Sequence, residues 1–498
     1  MRFNWLFVLA LVSALGVAGV SAQVTLPKVL SAHMVVQRDL PVHIWGLAAP
    51  GEMVSVAFRG ETRAVKASEL GRWSLYLKPG SAGGPFRMTV AGDAAGERPI
   101  VLYDILVGDV WVASGQSNME FPLDAASTAA EDLPKAGNPN IRLMTVKQVA
   151  ADYALDDIQS EGWTASSPET AKSFSAVAWY FAREISECEH VPIGIINSAW
   201  GGTPVEAWTR MAALGADAAV NPLFLSWGQA GEREADGILR KVVIEKRTAE
   251  AKALGKPVPF APWTPLLESL APGNLYNGMI APLTPFPIKG VIWYQGEANA
   301  DPRRAPLYGR IFRDMIEDWR RQWGVGDFPF LYVQLPNYDN DGDWPTLRDE
   351  MLKTLEMANT GMAVTIDVGD PTNIHPTNKK PVGLRLSRAA RVLAYGERIE
   401  FSGPIFRQVT PEGSAIRAWF DHASGLTAKG GELSGFEVAG ADGKFFPATG
   451  KIDGASVVAS SPGVKEPVAV RYGWDTNPLC NLYNSEDLPA SPFNSTRR

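Results

Sequence analysis

Asp109-Val110-Trp111-Val112-Ala113-Ser114-Gly115-Gln116-Ser117-Asn118-Met119 decides how the rest of the chain is read. A short apolar run stops at Gly115, and a serine follows inside a polar tight turn. A strand-to-helix turn of this kind presents a nucleophile at the carboxyl edge of a parallel sheet, where open α/β sheets bind ligands. The turn is not a Gly-x-Ser-x-Gly elbow, because Met119 stands where the second glycine would be. Working outward from Ser117, five apolar runs read as parallel strands: Asp109 to Ala113, Pro192 to Asn197, Gly290 to Tyr294, Pro329 to Gln334 and Met362 to Asp367. Helical stretches separate them. Ser175 to Glu187 sets Ala178, Phe181, Ala182 and Ile185 on one face, and Tyr308 to Trp323 does the same with Ile311, Phe312, Met315, Ile316, Trp319 and Trp323. A last helix is expected over Lys380 to Tyr395. Strands alternating with amphipathic helices mark an α/β fold with a parallel sheet.

Residues 104–396 therefore form one zone of the 498-residue chain. Residues 23–103 read differently, with short apolar runs such as Pro41 to Trp45 and Trp73 to Leu77 punctuated by Gly, Pro and Asp turns. That text predicts a small β-sandwich. Residues 397–498 return to β-like text, including Gly435 to Gly440 and Val468 to Tyr472. They predict a carboxy-terminal β domain or strands that complete the first one. Residues 1–22 read as a signal peptide: Arg2 is positive, Trp5 to Val20 is apolar, and Val20-Ser21-Ala22 fits a cleavage site before Gln23. The mature protein is expected to be secreted or periplasmic, with no membrane insertion after cleavage.

The formal net charge of −7, with no basic block, argues against a nucleic-acid partner held by phosphate neutralisation. Two cysteines, Cys188 and Cys480, do not make a disulfide framework in a chain of this size, and both read as inert small hydrophobes. No Cys/His spacing resembles a metal site, and no cofactor is called for. Of the sixteen tryptophans, most are expected in the core.

Four of the five presumed strands run into polar or glycine-bearing segments: Gly115 to Asn118, Ser198 to Thr203, Gln295 to Asn299, and Asp367 to Pro376. A serine needs a base within hydrogen-bond reach. Of the five histidines, His33, His43 and His422 lie in β-like text and His190 precedes a strand, so elimination favours His375 as the base. An oxyanion hole needs backbone N–H groups and an amide. Gly201 or Gly202 could supply the first, and Gln295 or Asn299 the second. Glu297 reads either as a catalytic carboxylate or as a buried group that orders the loops.

Gly-Gln-Ser-Asn-Met, Asn-Ser-Ala-Trp-Gly-Gly-Thr-Pro-Val-Glu-Ala-Trp, Trp-Tyr-Gln-Gly-Glu-Ala-Asn and Asp-Val-Gly-Asp-Pro-Thr-Asn-Ile-His-Pro, in that order, resemble the sialate O-acetylesterase family of SGNH hydrolases. The likeness extends to Asn481 to Asn484 and Leu488 to Phe493. It implies a flavodoxin-like hydrolase core flanked by β domains, which removes acetyl groups from sugar hydroxyls without a metal. It also implies Ser117 as nucleophile and His375 as base. The implied oxyanion donors are the Ser117 amide, a Gly201 or Gly202 amide and a side chain of the third block. Two departures matter. Ala298 occupies the asparagine position of the third block, which moves the expectation to Gln295, with Asn299 in reserve. Thr372 stands where the acid usually lies, three residues before the histidine. Asp370, Asp367 or a backbone carbonyl near Asn373 is then left to orient His375.

The expected substrate is an acetylated glycan or sialic acid. A sialate site could use a cationic clamp from Arg303, Arg304, Arg348 and Arg385. An acetylated xylan or another plant polysaccharide could instead stack on Trp200, Trp208 and Trp344. A non-catalytic carbohydrate-binding protein on this scaffold would be expected to have lost Ser117 or His375, and both are present.

Overall fold

The computed structural model describes residues 23–224, 227, 243–258 and 267–497, so the expected leader lies outside the described residues. The long strand β7 (Ile100–Gly115) organises the molecule. Its first half pairs antiparallel with β6 (Gly83–Gly92) and parallel with β1 (Val35–Gln37). Further antiparallel pairing of β3 (Met53–Phe58) with β4 (Glu61–Lys66) and β6 extends that side. A separate two-stranded ribbon joins β2 (Val42–Leu47) to β5 (Arg72–Leu77). The second half of β7 is a central strand of a parallel sheet, so the residue 103/104 boundary falls inside one continuous strand.

That parallel sheet runs β13 (Thr360–Ala363), β12 (Phe330–Val333), β11 (Gly290–Tyr294), β7, β10 (Ile193–Ala199), β8 (Asn138–Thr145), with β9 (Thr164–Ser166) antiparallel at its edge. Taken from β10 to β13, the order is the 2-1-3-4-5 of a flavodoxin-like sheet. All five expected strands are present, the last displaced toward its amino end. β8 is an unexpected sixth, hidden in the sequence by its Asn-Pro-Asn start and by Arg142. That arginine is buried and donates to the Asp104 carboxylate at 2.6 and 3.0 Å, which holds the acid down to about 2.

The expected helices form over Ala176–Glu189, Tyr308–Trp323 and Lys380–Leu393. The first is capped by the Ser175 side chain and stops at His190, in the left-handed region with φ 55°. A further helix, Trp344–Lys353, is capped by Asp343. Its Arg348, Asp349 and Glu350 are charged yet buried under the carboxy-terminal segment. Arg497 pairs with Asp349 and Glu350, and Arg348 donates to the Asp475 and Thr476 carbonyls. Trp293 centres the apolar interior, with Trp208, Trp319 and Phe312 rings within 6.0 Å of its own. The carboxy-terminal strands make their own antiparallel sheets and do not complete the first: Ile405–Glu412, Ala415–Asp421, Ser456–Ser460 and Thr449–Asp453 in one, Phe445–Pro447, Phe436–Ala439, Ala469–Tyr472 and Phe493–Asn494 in another. Cys188 and Cys480 are free thiols, both partly buried. No helix among the described residues is long and apolar enough to cross a membrane.

Gly383 sets how closely the Lys380–Leu393 helix approaches Ala176–Glu189. A Cβ there would lie 2.6 Å from Tyr180 Cβ and 2.8 Å from the Val177 carbonyl oxygen, so no side chain fits without separating the helices. Gly383→Ala is expected to cost about 1–3 kcal/mol in urea unfolding, as overpacked cores do. Gly137→Ala, where nothing lies within 4 Å, should be near neutral.

Candidate active site

Gly115 has φ +136°, and a Cβ on it would sit 2.1 Å from the Tyr294 carbonyl oxygen. Only glycine tolerates that conformation and that contact together. The turn continues through Gln116, whose amide donates to the same Tyr294 carbonyl at 3.0 Å. Ser117 then opens a one-turn helix, Ser117–Glu120, at the carboxyl end of β7. This is the point between β7 and β11 where the strand order reverses, the usual ligand crevice of such sheets.

His375 reaches the same point from the loop after β13. Its Nε2 lies 2.7 Å from Ser117 Oγ. For Nε2 to accept the hydroxyl hydrogen, Nδ1 must carry the ring proton. The Asn373 side chain fixes the local backbone by accepting from the His375 amide at 2.9 Å. The ring is half-buried. Burial, and after it the Lys379 charge, lowers its pKa from the ordinary imidazole value.

Beneath this pair lies a buried polar chain. Asn118 donates through Nδ2 to the Ile374 carbonyl at 3.0 Å and to Glu297 Oε1 at 2.5 Å. Its Oδ1 accepts from Lys379 Nζ. Lys379 is 1 % exposed, with Nζ 4.7 Å from the Phe121 ring centroid and 5.4 Å from that of Tyr294. Desolvation drags the ammonium down to about 7, against the opposing pull of Glu297. The same desolvation raises the Glu297 carboxyl, whose second oxygen has no hydrogen-bond partner. Glu297 thus bonds to Asn118 and to neither Ser117 nor His375. Lys379 was not singled out from sequence; its signal is a lysine four residues after His375, at the start of a helix.

The residues matched by a family model, 260–392, carry the description carbohydrate esterase, sialic acid-specific acetylesterase. Mouse sialate O-acetylesterase is 30 % identical over 93 % of this chain and 92 % of its own length. The human enzyme of that name is 30 % identical over 93 % and 91 %. The crystal structure of a carbohydrate acetylesterase from Xanthomonas citri is 40 % identical, superposes with a TM-score of 0.82, and covers 95 % of this chain and 99 % of that one. The chain belongs to the sialate O-acetylesterase family.

In this family member the remaining expected residues fall into two groups. Gly201 approaches Ser117 closely, since a Cβ there would be 3.2 Å from Ser117 Cβ, but its amide donates to Glu120 Oε2 at 2.8 Å. Gly202, with φ +75°, has an amide with no protein acceptor among the described residues. Gln295 and Asn299 are fully buried and tied into scaffolding. Gln295 Nε2 donates to Asn299 Oδ1 at 2.7 Å and to the Thr203 carbonyl at 3.1 Å, and Asn299 Nδ2 donates to Glu206 at 2.8 Å. Neither amide pairs with Ser117 or His375.

Asp370 is not brought to the imidazole. Its carboxylate accepts from the Thr372 amide at 2.8 Å and hydroxyl at 2.9 Å, bonds that hold it below its ordinary pKa. Asp367 is bidentate to Arg385 at 2.6 and 2.7 Å. Among the described residues no carboxylate pairs with the His375 ring. Of the arginines considered for a clamp, Arg304 is tied to Glu206 and Arg348 to four backbone carbonyls, whereas Arg303 is 81 % exposed. Trp208 and Trp344 are buried, and only Trp200 is partly open. Among the described residues no group of three or more His, Cys, Asp and Glu is placed to hold a metal ion.

Removing one member of a buried charged chain strands the other. Lys379→Met is expected to lower the urea-unfolding free energy by about 3 kcal/mol. The double variant Lys379→Met/Glu297→Gln should recover part of that loss.

Proposed function

We propose that the protein hydrolyses acetyl esters on sugar hydroxyls through a Ser117–His375 dyad and a serine-bound acetyl intermediate. The observation that carries this reading is the 2.7 Å contact between Ser117 Oγ and His375 Nε2 at the sheet's switch point. His375 takes the Ser117 proton as Oγ attacks the acetyl carbonyl. The tetrahedral oxyanion is met by the Ser117 amide, a first-turn N–H without an intrahelical acceptor, and by the Gly202 amide, since Glu120 holds that of Gly201. Collapse releases the sugar alcohol with the proton from His375. Water, deprotonated by the same imidazole, then frees acetate and regenerates Ser117.

Among the described residues no carboxylate pairs with the His375 ring, so the reading is a dyad. Backbone anchoring of the 373–375 loop, by Asn373 and by Asn118 on the Ile374 carbonyl, supports a dyad in which position is set by the polar chain below. Lys379 has a second role in this reading. Below about 7 it is charged, and a neighbouring cation disfavours the imidazolium. Burial of the ring, and after it this cation, keeps His375 in its base form further into acid than an ordinary histidine.

The mouse and human relatives are named for sialate, an anion, and the Xanthomonas relative for carbohydrate at large. Arg304, Arg348 and Arg385 are already paired, which favours a neutral acetylated polysaccharide such as acetyl xylan. The Arg2-led apolar stretch before Gln23 supports export, and the amino-terminal residue of the purified protein tests it.

Acetate release from O-acetylated sialic acid and from acetylated xylo-oligosaccharides, measured in parallel, should favour the neutral substrate. Ser117→Ala and His375→Ala should each lower kcat on the order of 10⁴-fold or more. Asp370→Asn should cost less than about tenfold, against the ~10⁴-fold of a true triad acid. Substantial turnover by Ser117→Ala would sink the mechanism. The acidic limb of kcat/KM should lie below the ordinary histidine value, near 6.5. Lys379→Met should move it to higher pH, because removing the cation raises the His375 pKa; an unmoved limb would contradict the role given to Lys379.

A further inference from the structure

Glu120 closes the short helix that Ser117 opens, and its amide donates to the Gln116 carbonyl at 3.0 Å, so one turn carries both side chains. A Cβ on Gly201 would lie 3.2 Å from Ser117 Cβ and 3.3 Å from Glu120 Oε2, which puts that carboxylate oxygen within about 6.5 Å of the nucleophile's Cβ. The Glu120 side chain is only partly buried. It forms one wall of the Ser117 site together with Gly201.

Both carboxylate oxygens accept N–H hydrogens, Oε2 from the Gly201 amide and Oε1 from Gln148 Nε2, each at 2.8 Å. Burial raises the Glu120 pKa, and these two donors, which favour the ionised form, oppose it. Among the described residues no cation pairs with it. Lys379 is 1 % exposed and tied through Asn118 to Glu297, Arg385 is bidentate to Asp367, and Arg304 is held by Glu206, so none of these charges is spare to offset it.

An unneutralised carboxylate this close to the nucleophile acts on any substrate that brings a negative charge of its own. Between the dielectric of water and that of a protein surface, two like charges about 7 Å apart cost a factor of about 3 to 50 in binding. Repulsion of this kind discriminates between substrates without a new attractive contact to the favoured one.

We propose that Glu120 is a specificity residue that disfavours acetyl esters whose sugar carries a carboxylate near the ester, as uronates and 4-O-acetylated sialate do, and so directs the Ser117 site to uncharged sugars. This role rests on the esterase reading and names the group that selects the sugar.

The test compares 4-acetoxybenzoate with 4-acetoxybenzamide, which differ in charge at a fixed distance from the same ester; their rates of buffer hydrolysis correct for unequal intrinsic reactivity. Wild-type protein should turn over the amide with kcat/KM on the order of tenfold higher. The difference should lie mainly in KM, because the benzoate charge does not change during acyl transfer, and it should shrink as ionic strength rises. Glu120→Gln keeps an acceptor for the Gly201 amide and should bring the two substrates to within about twofold of each other. Gln148→Lys, at an exposed position, would set an ammonium against Glu120 and should narrow the preference with Glu120 in place. A change in rate common to both substrates reports the fold or the oxyanion and cancels in the ratio. A wild type without preference for the amide, or a preference that both variants leave unchanged, would overturn the proposal. Failure of the esterase reading is distinguishable, because turnover of the uncharged ester would then persist in Ser117→Ala.

Discussion

The contact between Gly115 and the Tyr294 carbonyl is the constraint on which the rest of the site depends. It lets β7 and β11 stay side by side to their last residues while the chain turns sharply out of the sheet. The consequences run in both directions. Gln116, pinned by the Tyr294 carbonyl, turns its side-chain oxygen to the amides of Gly296 and Ala298 and holds the loop after β11. Ser117 is left at the start of a single helical turn, with its hydroxyl on His375. Any side chain at position 115 would disturb both, which makes the turn a packing requirement whatever chemistry Ser117 performs.

The second feature is electrostatic. A triad acid would favour the imidazolium and raise the histidine pKa. Here the charged group nearest in effect is a buried ammonium, Lys379, which acts in the opposite sense. Burying Lys379 and Glu297 is expensive, and the expense is offset by Asn118 bridging them and by the aromatic faces of Phe121 and Tyr294. The chain is anchored at the Ile374 carbonyl, so the arrangement that sets the charge also places the His375 loop.

Much of this was legible in the sequence. The strand runs and the two long amphipathic helices announced themselves by period, and Ser117 and His375 stood out by the segments that follow the strands. What escaped did so for physical reasons. Strand β8 and the helix Trp344–Lys353 bury charged residues whose partners, Asp104 and Arg497, are distant in sequence, and local patterning carries no trace of such pairings. Gln295 and Asn299 read as free amides because nothing local predicts that Thr203 and Glu206 will claim them. Asp370 looked available beside His375, yet a local turn through Thr372 captures its carboxylate first. Lys379 was overlooked because an isolated lysine at a helix start reads as solvated; its burial is settled only when that helix packs against the turn after β7.

Covalent trapping identifies the nucleophile without any assumption about the sugar. A fluorophosphonate offered to the wild-type protein, followed by peptide mapping, reports which oxygen is the activated nucleophile. A Ser117–His375 dyad gives one labelled site, Ser117, with a labelling rate that falls as pH drops through the His375 titration and labelling lost in His375→Ala. Label on another residue, or on Ser117 at a rate indifferent to pH and to His375, would contradict it.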